Sequence, residues 1–414
     1  MKDREEVAKG QAALPKLRFS EFHEAWDLVC LGDVCGQPAY GMNAAAQTFD
    51  GKHKYIRITD ISEDSREFCP SPLMSPEPPI AADYRLRLGD LVFARTGAST
   101  GKTYLYKEED GELYFAGFLI RFPIVHAEPK FVFAQTLRSK FSKWIAVVSV
   151  RSGQPGVNAL EYASFEFLKP SLPEQQKIAA FLSAVDEKIA QLTRKKALLE
   201  DYKKGCMQQL FSQKIRFKDD QGNDFPDWEE KRLGDVVHFG KGKGISKGDI
   251  KDGASLPCIR YGEIYTHYAE QIDVVHSRTN VPADELVLSN SGDVIVPASG
   301  EDRLDMARAC CVMVDGVALG GDINILRGAE NGLFLAYYLN NAKTRDIARF
   351  AQGYSVVHLY GSQLKPLSVL LPHPEEQKKI ADFLSELDEK LATLSDQIRL
   401  AQTFKKGLLQ QMFV

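Results

Sequence analysis

The chain is written twice, and this constrains its fold more than any other feature. Residues 174–211 and 376–413 align without a gap at a constant offset of 202 (Ile178 against Ile380), with 20 of 38 positions identical. Such self-similarity is the signature of a repeated architecture. Weaker echoes precede each copy. Leu17-Arg18-Phe19 matches Ile215-Arg216-Phe217; Trp26 and Leu31-Gly32-Asp33-Val34 match Trp228 and Leu233-Gly234-Asp235-Val236; Ile56-Arg57 matches Ile259-Arg260, and Gly89-Asp90 matches Gly292-Asp293. Between these landmarks the halves diverge almost completely. A duplicated scaffold therefore carries two unlike modules, which is how one protein would read two unlike targets with the same geometry.

The near-identical segments read as helices whose apolar positions recur in sevens, the pattern of a coiled coil. Ile178, Val185, Leu192 and Leu199 occupy one seam position of the first copy, with Leu182, Ile189 and Leu210 at the other. In the second copy Ile380, Leu387, Leu394, Ala401 and Leu408 alternate with Leu384, Leu391, Ile398 and Met412. Lys196, Lys203 and Lys405 interrupt the seam, which predicts imperfect packing or packing shared with other helices. Each copy opens on a proline (Pro173, Pro374) with Glu in the first turn, suitable chemistry for a helix N-terminus. At about 1.5 Å per residue such helices run roughly 55 to 60 Å, and they can hide their seams only against each other or a partner. A single heptad stripe would signal simple core packing or homodimerisation. Two copies separated by variable modules favour pairing within the chain.

The expected fold is α/β: two tandem mixed α/β domains, separated and followed by long helices that pair as an antiparallel intramolecular coiled coil with a pseudo-twofold repeat. The expected divisions are a flexible segment 1–16, a first module 17–170, a central helix 171–213, a second module 214–371 and a C-terminal helix 372–414. Leu91-Val92-Phe93-Ala94 and Val294-Ile295-Val296 read as strands, and Phe131 to Trp144 and Leu333 to Phe350 as helices.

Polar and basic residues crowd the segments that differ between halves. The candidates for meeting DNA are Lys52, Lys54, Arg57, Arg95, Thr96, Ser99, Lys102 and Arg151 in the first module, and Lys241, Lys243, Lys247, Arg260, Tyr261, Arg303 and Tyr354 in the second. Arg and Lys suit guanine edges and phosphates, and hydroxyls suit other base edges. For each residue alone, a solvated surface charge is the plainer account. The formal net charge of -4 also counts against a DNA binder, although binding needs only one basic face.

Catalytic motifs are nearly present but fail in detail. TGASTGKT (96–103) is one residue short of a P-loop and is followed by strand-like Tyr104-Leu105-Tyr106. Its Gly97-Ala98-Ser99-Thr100-Gly101 has the nucleophile-elbow form without the helix that must follow. Gly240 to Gly244 lacks dinucleotide spacing. Seven cysteines without a CxxC pair argue against disulfides and zinc, and no histidine spacing suggests a metal. No run of 18 apolar residues and no apolar leader is present, so a cytoplasmic location without membrane association is expected.

The segments starting at Pro173-Glu174-Gln175-Gln176-Lys177-Ile178-Ala179 and Pro374-Glu375-Glu376-Gln377-Lys378-Lys379-Ile380-Ala381, with the Trp then Leu-Gly-Asp-Val opening of each half, resemble the conserved regions of type I restriction-modification specificity subunits. The resemblance implies a non-catalytic subunit. Each variable module would be a target-recognition domain reading half of a bipartite site in double-stranded DNA, with the paired helices as a spacer fixing the gap. Two modification subunits bringing S-adenosylmethionine chemistry to adenine would dock around the helices, and restriction subunits that hydrolyse ATP with Mg would join. No cofactor is expected on this chain itself. The rival reading is a coiled-coil interaction scaffold that never touches DNA.

Overall fold

The computed structural model describes residues 14–353 and 356–414. The chain forms two compact units, one of residues up to Leu192 with Gln397–Val414, the other of Thr193–Asp396. Both long helices, Leu172–Phe211 and Pro374–Gln411, are continuous and are divided between the units near their middles. The helical segments expected to stand apart are thus integral to the two units. Residues 1–13 of the expected N-terminal segment lie outside the described residues.

In the first unit an antiparallel sheet runs in the order Ala39–Tyr40, Leu119–Pro123, Asp90–Ala94, Thr103–Leu105, with Val92 opposite Arg121 on one side and Tyr104 on the other. In the second unit His238–Lys241, Ile323–Arg327, Asp293–Pro297 and Cys310–Val312 repeat that order, and Gln271–Ile272 adds a parallel fifth strand. A smaller parallel pairing also recurs: Lys54–Ile56 with Leu113–Phe115, and Leu256–Ile259 with Ala318–Leu319. The two strands read from sequence are the central ones, Asp90–Ala94 and Asp293–Pro297. Each is buried along its whole length, which explains their unbroken apolar runs.

The weak echoes ahead of each long helix mark where the module closes on it. The opening strand Asp27–Cys30 pairs with Glu166–Lys169, and Glu229–Arg232 pairs with Ser368–Leu371, so each module's two ends meet just before its helix begins. In the helix's first turn Glu174 accepts Arg18 Nε and Nη2, both at 2.8 Å, while Glu376 accepts Arg216 Nε at 3.1 Å and Nη2 at 2.7 Å. The next residue repeats too: Gln175 donates to the Pro170 carbonyl at 2.7 Å and Gln377 to that of Pro372 at 3.0 Å. A triad of rings anchors the far end of a helix in each unit. Trp26 and Phe131 meet Phe413 at 6.5 and 5.3 Å in the first, and Trp228 meets Phe334, which meets Phe211 at 6.1 Å, in the second. Burying rings of this size stabilises each unit by about 2–3 kcal/mol per ring.

The seam residues Ile178, Leu182, Val185, Ile189, Leu192, Leu199, Ile380, Leu384, Leu387, Leu391, Leu394 and Ile398 are all buried or half-buried. In the first unit Ile178 and Leu182 share a core with Leu408 and Met412, and in the second Leu199 and Leu210 share one with Ile380 and Leu384. The helix segments in each unit are antiparallel: Asp186 meets Lys405 where Ile178 and Leu182, earlier on the same helix, share a core with Leu408 and Met412, and Lys203 meets Asp388 where Leu210, later on that helix, shares one with Ile380 and Leu384, each ion pair at 2.5 Å. Two of the seam lysines therefore do not loosen the packing. Lys203 also lies 5.1 Å from the Tyr337 ring, whose hydroxyl donates to Asp388 at 2.5 Å. These repeat-related pairs act as polar seam residues do, specifying register and direction. Lys196 instead pairs along its own helix with Glu200 at 3.7 Å.

Both helices expected inside the modules are interrupted. Phe131 to Trp144 spans Pro129–Thr136 and Ser139–Val148, broken where Arg138 adopts an extended conformation and its guanidinium donates to Gln135 and the Val414 carbonyl, both at 2.8 Å. Leu333 to Phe350 is Gly332–Tyr338 and Thr344–Phe350 joined by a wider π-type turn. There Asn340 accepts from Ala309 N at 2.7 Å and donates to its carbonyl at 2.9 Å, tying the turn to a neighbouring segment. Helix periodicity alone does not register such tertiary demands.

None of the seven cysteines, all of which lie among the described residues, is joined in a disulfide. Burial pushes the Cys258 thiol up to about 11 and those of Cys310 and Cys311 to about 12. Because the thiolate is the reactive form, a maleimide at neutral pH is expected to label exposed Cys69 and spare these three in the native chain. Peptide mass mapping checks this; rapid labelling of Cys310 would mean that the core of the second unit opens readily.

Candidate nucleic-acid interface

A loop cluster beside the small parallel pairing recurs in both modules although the surrounding sequence does not. In the first, Gly41 N donates to Leu119 O at 3.0 Å, Met42 N to Phe115 O at 2.9 Å and Ala116 N to Ile56 O at 3.0 Å. In the second, Gly242 N donates to Ile323 O at 2.9 Å, Lys243 N to Leu319 O at 3.0 Å and Gly320 N to Ile259 O at 2.8 Å. Glycine is required at the crossing: a Cβ on Gly41 would sit 2.0 Å from the Ala116 carbonyl oxygen, and one on Gly242 2.0 Å from that of Gly320. The residue after the inner strand is an arginine in both, facing a buried acid three positions on. Arg57 Nε and Nη2 donate to Asp60 at 2.8 and 2.7 Å, and Arg260 lies 3.6 Å from Glu263.

This cluster brings together several of the candidate DNA residues. Arg95 stacks over Tyr40 at 5.1 Å and donates through Nε to the Gly117 carbonyl at 3.1 Å, which places it beside Gly41 and the turn that follows Ala116. Lys241, 3.9 Å from Asp322, and Lys243 flank Gly242 and are exposed. Tyr261 follows Arg260 and packs against the small core behind the loop.

Most of the remaining cations are already engaged. Lys54 donates to the Asp110 carbonyl at 2.6 Å, Lys102 pairs with Glu63 at 2.5 Å, and Arg151 grips both Glu161 oxygens at 2.5 and 2.6 Å. Arg303 donates to the Gly353 carbonyl at 3.3 Å. Lys52 and Lys247 are exposed, whereas Thr96 and Ser99 are half-buried. Thr96 bridges to Gly156 through its backbone. Tyr354 lies outside the described residues. Sequence reading picked out the cations and missed the acids that hold them: Asp60, Glu63, Glu161 and Glu263. The Arg-x-x-Asp and Arg-x-x-Glu spacing was the available signal, because in both the acid also accepts the arginine's own backbone N–H, at 2.9 and 2.7 Å.

The segment with P-loop and elbow overtones is a hairpin. Asp90–Ala94 and Thr103–Leu105 are joined by a single turn at Gly97–Ser99, with Ala94 N donating to Lys102 O at 2.8 Å. Among the described residues no cluster of His, Cys, Asp and Glu is arranged to hold a metal, and no helix is long and apolar enough to cross a membrane.

Two modules of one design, each with its own rim and each built onto the start of one copy of a duplicated helix, define a two-headed recognition scaffold. The chain belongs to the family of the type I restriction modification DNA specificity domain, whose family model matches it twice, over residues 23–201 and 226–401. It is accordingly a DNA-recognition subunit and not a catalyst. A putative type I restriction enzyme MjaX specificity subunit of Methanocaldococcus jannaschii is 24% identical over 417 residues, covering 95% of this chain and 94% of that one. The S subunit of a type I restriction-modification system from M. genitalium shares the fold at a TM-score of 0.62 and 14% identity, covering 97% of this chain and 99% of that one. A chain from a type I R-M system, solved for its complex assembly and conformational transition, matches at a TM-score of 0.54 and 18% identity over 95% of this chain and 98% of its own.

Proposed function

We propose that each module, 17–170 and 214–371, reads one half of a bipartite target in double-stranded DNA, and that the helix pair sets the gap and docks two modification subunits. The observation that carries this reading is the repetition of one scaffold beneath two unlike rims: Arg95 on Tyr40 in the first, exposed Lys241 and Lys243 in the second. A scaffold with no nucleic-acid role gives no reason for like modules to diverge there. Partner docking is supported by apolar side chains that both helix copies leave in solvent. Leu198 and Tyr202, and their repeat equivalents Leu400 and Phe404, are each more than half exposed and one helical turn apart. Two equivalent faces on one chain suit two copies of one partner. S-adenosylmethionine, ATP and Mg then belong to the modification and restriction subunits, and the complex works in the cytoplasm.

Co-expression with the cognate modification subunit, followed by methylome sequencing, tests the reading. One split motif with methyladenine in each half is expected; a stable complex that leaves no motif would refute DNA recognition by these modules. Tyr202→Asp is expected to weaken attachment of one modification subunit, and adding Phe404→Asp to weaken both, read as the mass of the purified complex. Unaltered stoichiometry in the double variant would move the docking face elsewhere.

A further inference from the structure

The two modules differ in sequence and in rim, yet both keep an arginine at one place with a buried acid beside it. Arg57 and Arg260 each follow the inner strand of the small parallel pairing, and each is about a quarter exposed, at 28%. The acids are almost fully buried, Asp60 at 2% and Glu263 at 5%. Both acids accept the arginine's backbone N–H, so the strand end, the turn and the guanidinium are held together. A surface arginine normally surrenders side-chain entropy when it binds. Arg57 is already oriented by its acid, and Arg260 is tied through its backbone and a looser ion pair at 3.6 Å.

The manner of the hold matters. Arg57 meets Asp60 side-on, through Nε and Nη2. A guanidinium is a planar fork of five donors, so a side-on carboxylate leaves its Nη1 edge available for a second oxygen ligand. Arg260 is held more loosely, at 3.6 Å, and its buried Nε has no acceptor among the described residues. That Nε is enclosed, so an outside ligand meets this arginine through the remainder of a side chain that is 28% exposed.

Resting on the reading that the modules bind duplex DNA, we propose that Arg57 and Arg260 are equivalent phosphate-positioning residues, each gripping one backbone phosphate in its half-site. The argument is one of symmetry. A feature that two modules share, while the residues around it diverge, meets what the two half-sites share. Unlike half-sites have different bases but the same phosphodiester backbone, and phosphate contacts set register without carrying sequence information. Base discrimination then falls to side chains that are not equivalent, Arg95 with Tyr40 in the first module and Lys241 and Lys243 in the second.

The test uses the chain assembled with its modification subunits. Arg57→Ala and Arg260→Ala are expected to weaken binding to the methylated motif's DNA roughly tenfold, the scale of losing one charge-assisted hydrogen bond. The slope of log affinity against log salt should fall by about 1, with the methylated motif unchanged. Relaxation of the motif at one base position would instead make the arginine a base reader, and an unchanged salt slope would remove it from the interface; either overturns the proposal. Because Arg57→Ala loses its grip on Asp60 and is open to misfolding, a methylphosphonate scan of the DNA with the unaltered protein gives an independent readout. One sensitive phosphate is expected per half-site, at matching distances from the two methylated adenines, with that sensitivity lost in Arg57→Lys or Arg260→Lys. Scans identical for wild type and Lys variants would also overturn it. A wild-type complex that shows no preference for any sequence would sink the underlying reading instead, which separates the two failures.

Discussion

Replacing Glu376 with alanine is expected to destabilise the second unit by about 3 kcal/mol, the lower end of the range for breaking a buried ion pair. The carboxylate is fully buried in the first turn of the C-terminal helix, where it takes two hydrogen bonds from Arg216 and one from Trp228 Nε1 at 3.3 Å. Removal leaves a guanidinium and an indole N–H without their acceptor and takes a negative charge from a helix N-terminus, where it is favourable. The lower end applies because Arg216 is 21% exposed and keeps the Pro226 carbonyl at 2.6 Å. Glu174→Ala should act in the same direction on the first unit, where Arg18 loses both of its bonds to Glu174. Denaturant titration of each variant, monitored by tryptophan fluorescence, measures this, since Trp26 and Trp228 lie in the separate cores. A loss below about 1 kcal/mol for Glu376→Ala, the value typical of an exposed pair, would show that the clasp is not what fastens module to helix.

Gly242→Ala is expected to cost at least about 3 kcal/mol, and Gly41→Ala a similar amount, at the upper end for overpacking a folded interior. In each case the new methyl would stand 2.0 Å from a backbone carbonyl oxygen, so no side-chain rotation relieves the clash. Two backbone segments must separate, and the bonds from Gly242 to Ile323 and from Lys243 to Leu319 go with them. Gly205→Ala is the contrasting substitution: this glycine lies within the central helix with nothing within 4 Å of its added Cβ. Removing glycine's excess unfolded-state freedom there should stabilise by about 0.5–1 kcal/mol. The same titration reads all three variants. Equal stability of Gly242→Ala and wild type would mean that the two strands do not cross as closely as the structure places them.

The recurring loop cluster shows why so much of the candidate interface was hidden in the sequence. The helices keep a constant offset of 202, but Gly41 pairs with Gly242, Arg57 with Arg260 and Ala116 with Gly320, at offsets of 201, 203 and 204. Ile56-Arg57 against Ile259-Arg260 stays legible as a short echo, but one-residue changes in loop length, combined with loss of identity, erase the Gly41–Gly242 and Ala116–Gly320 correspondences from an alignment. Hydrogen bonds between strand ends preserve it, because they depend on backbone position and not on side-chain type. The cations at the rim were legible as residue types. Their availability was not, since Lys102 is held by Glu63 and Arg151 by Glu161, partners set by how loops fold back.

By itself the sequence determined the duplication, the two long helices with their seams, the central strand of each main sheet and the lack of a catalytic motif. These depend on local periodicity and composition, which survive without knowledge of the fold. Only the tertiary structure decided that Lys203 and Lys405 complete the seam, that Arg18 and Arg216 fasten the helix starts, and that the helices at Arg138 and Asn340 are interrupted. In each case the deciding partner is distant in sequence: Asp388 lies 185 residues from Lys203, Glu174 156 from Arg18, and Val414 276 from Arg138. A charge or amide in a sequence states what it can bond; folding alone brings the partner within 3 Å.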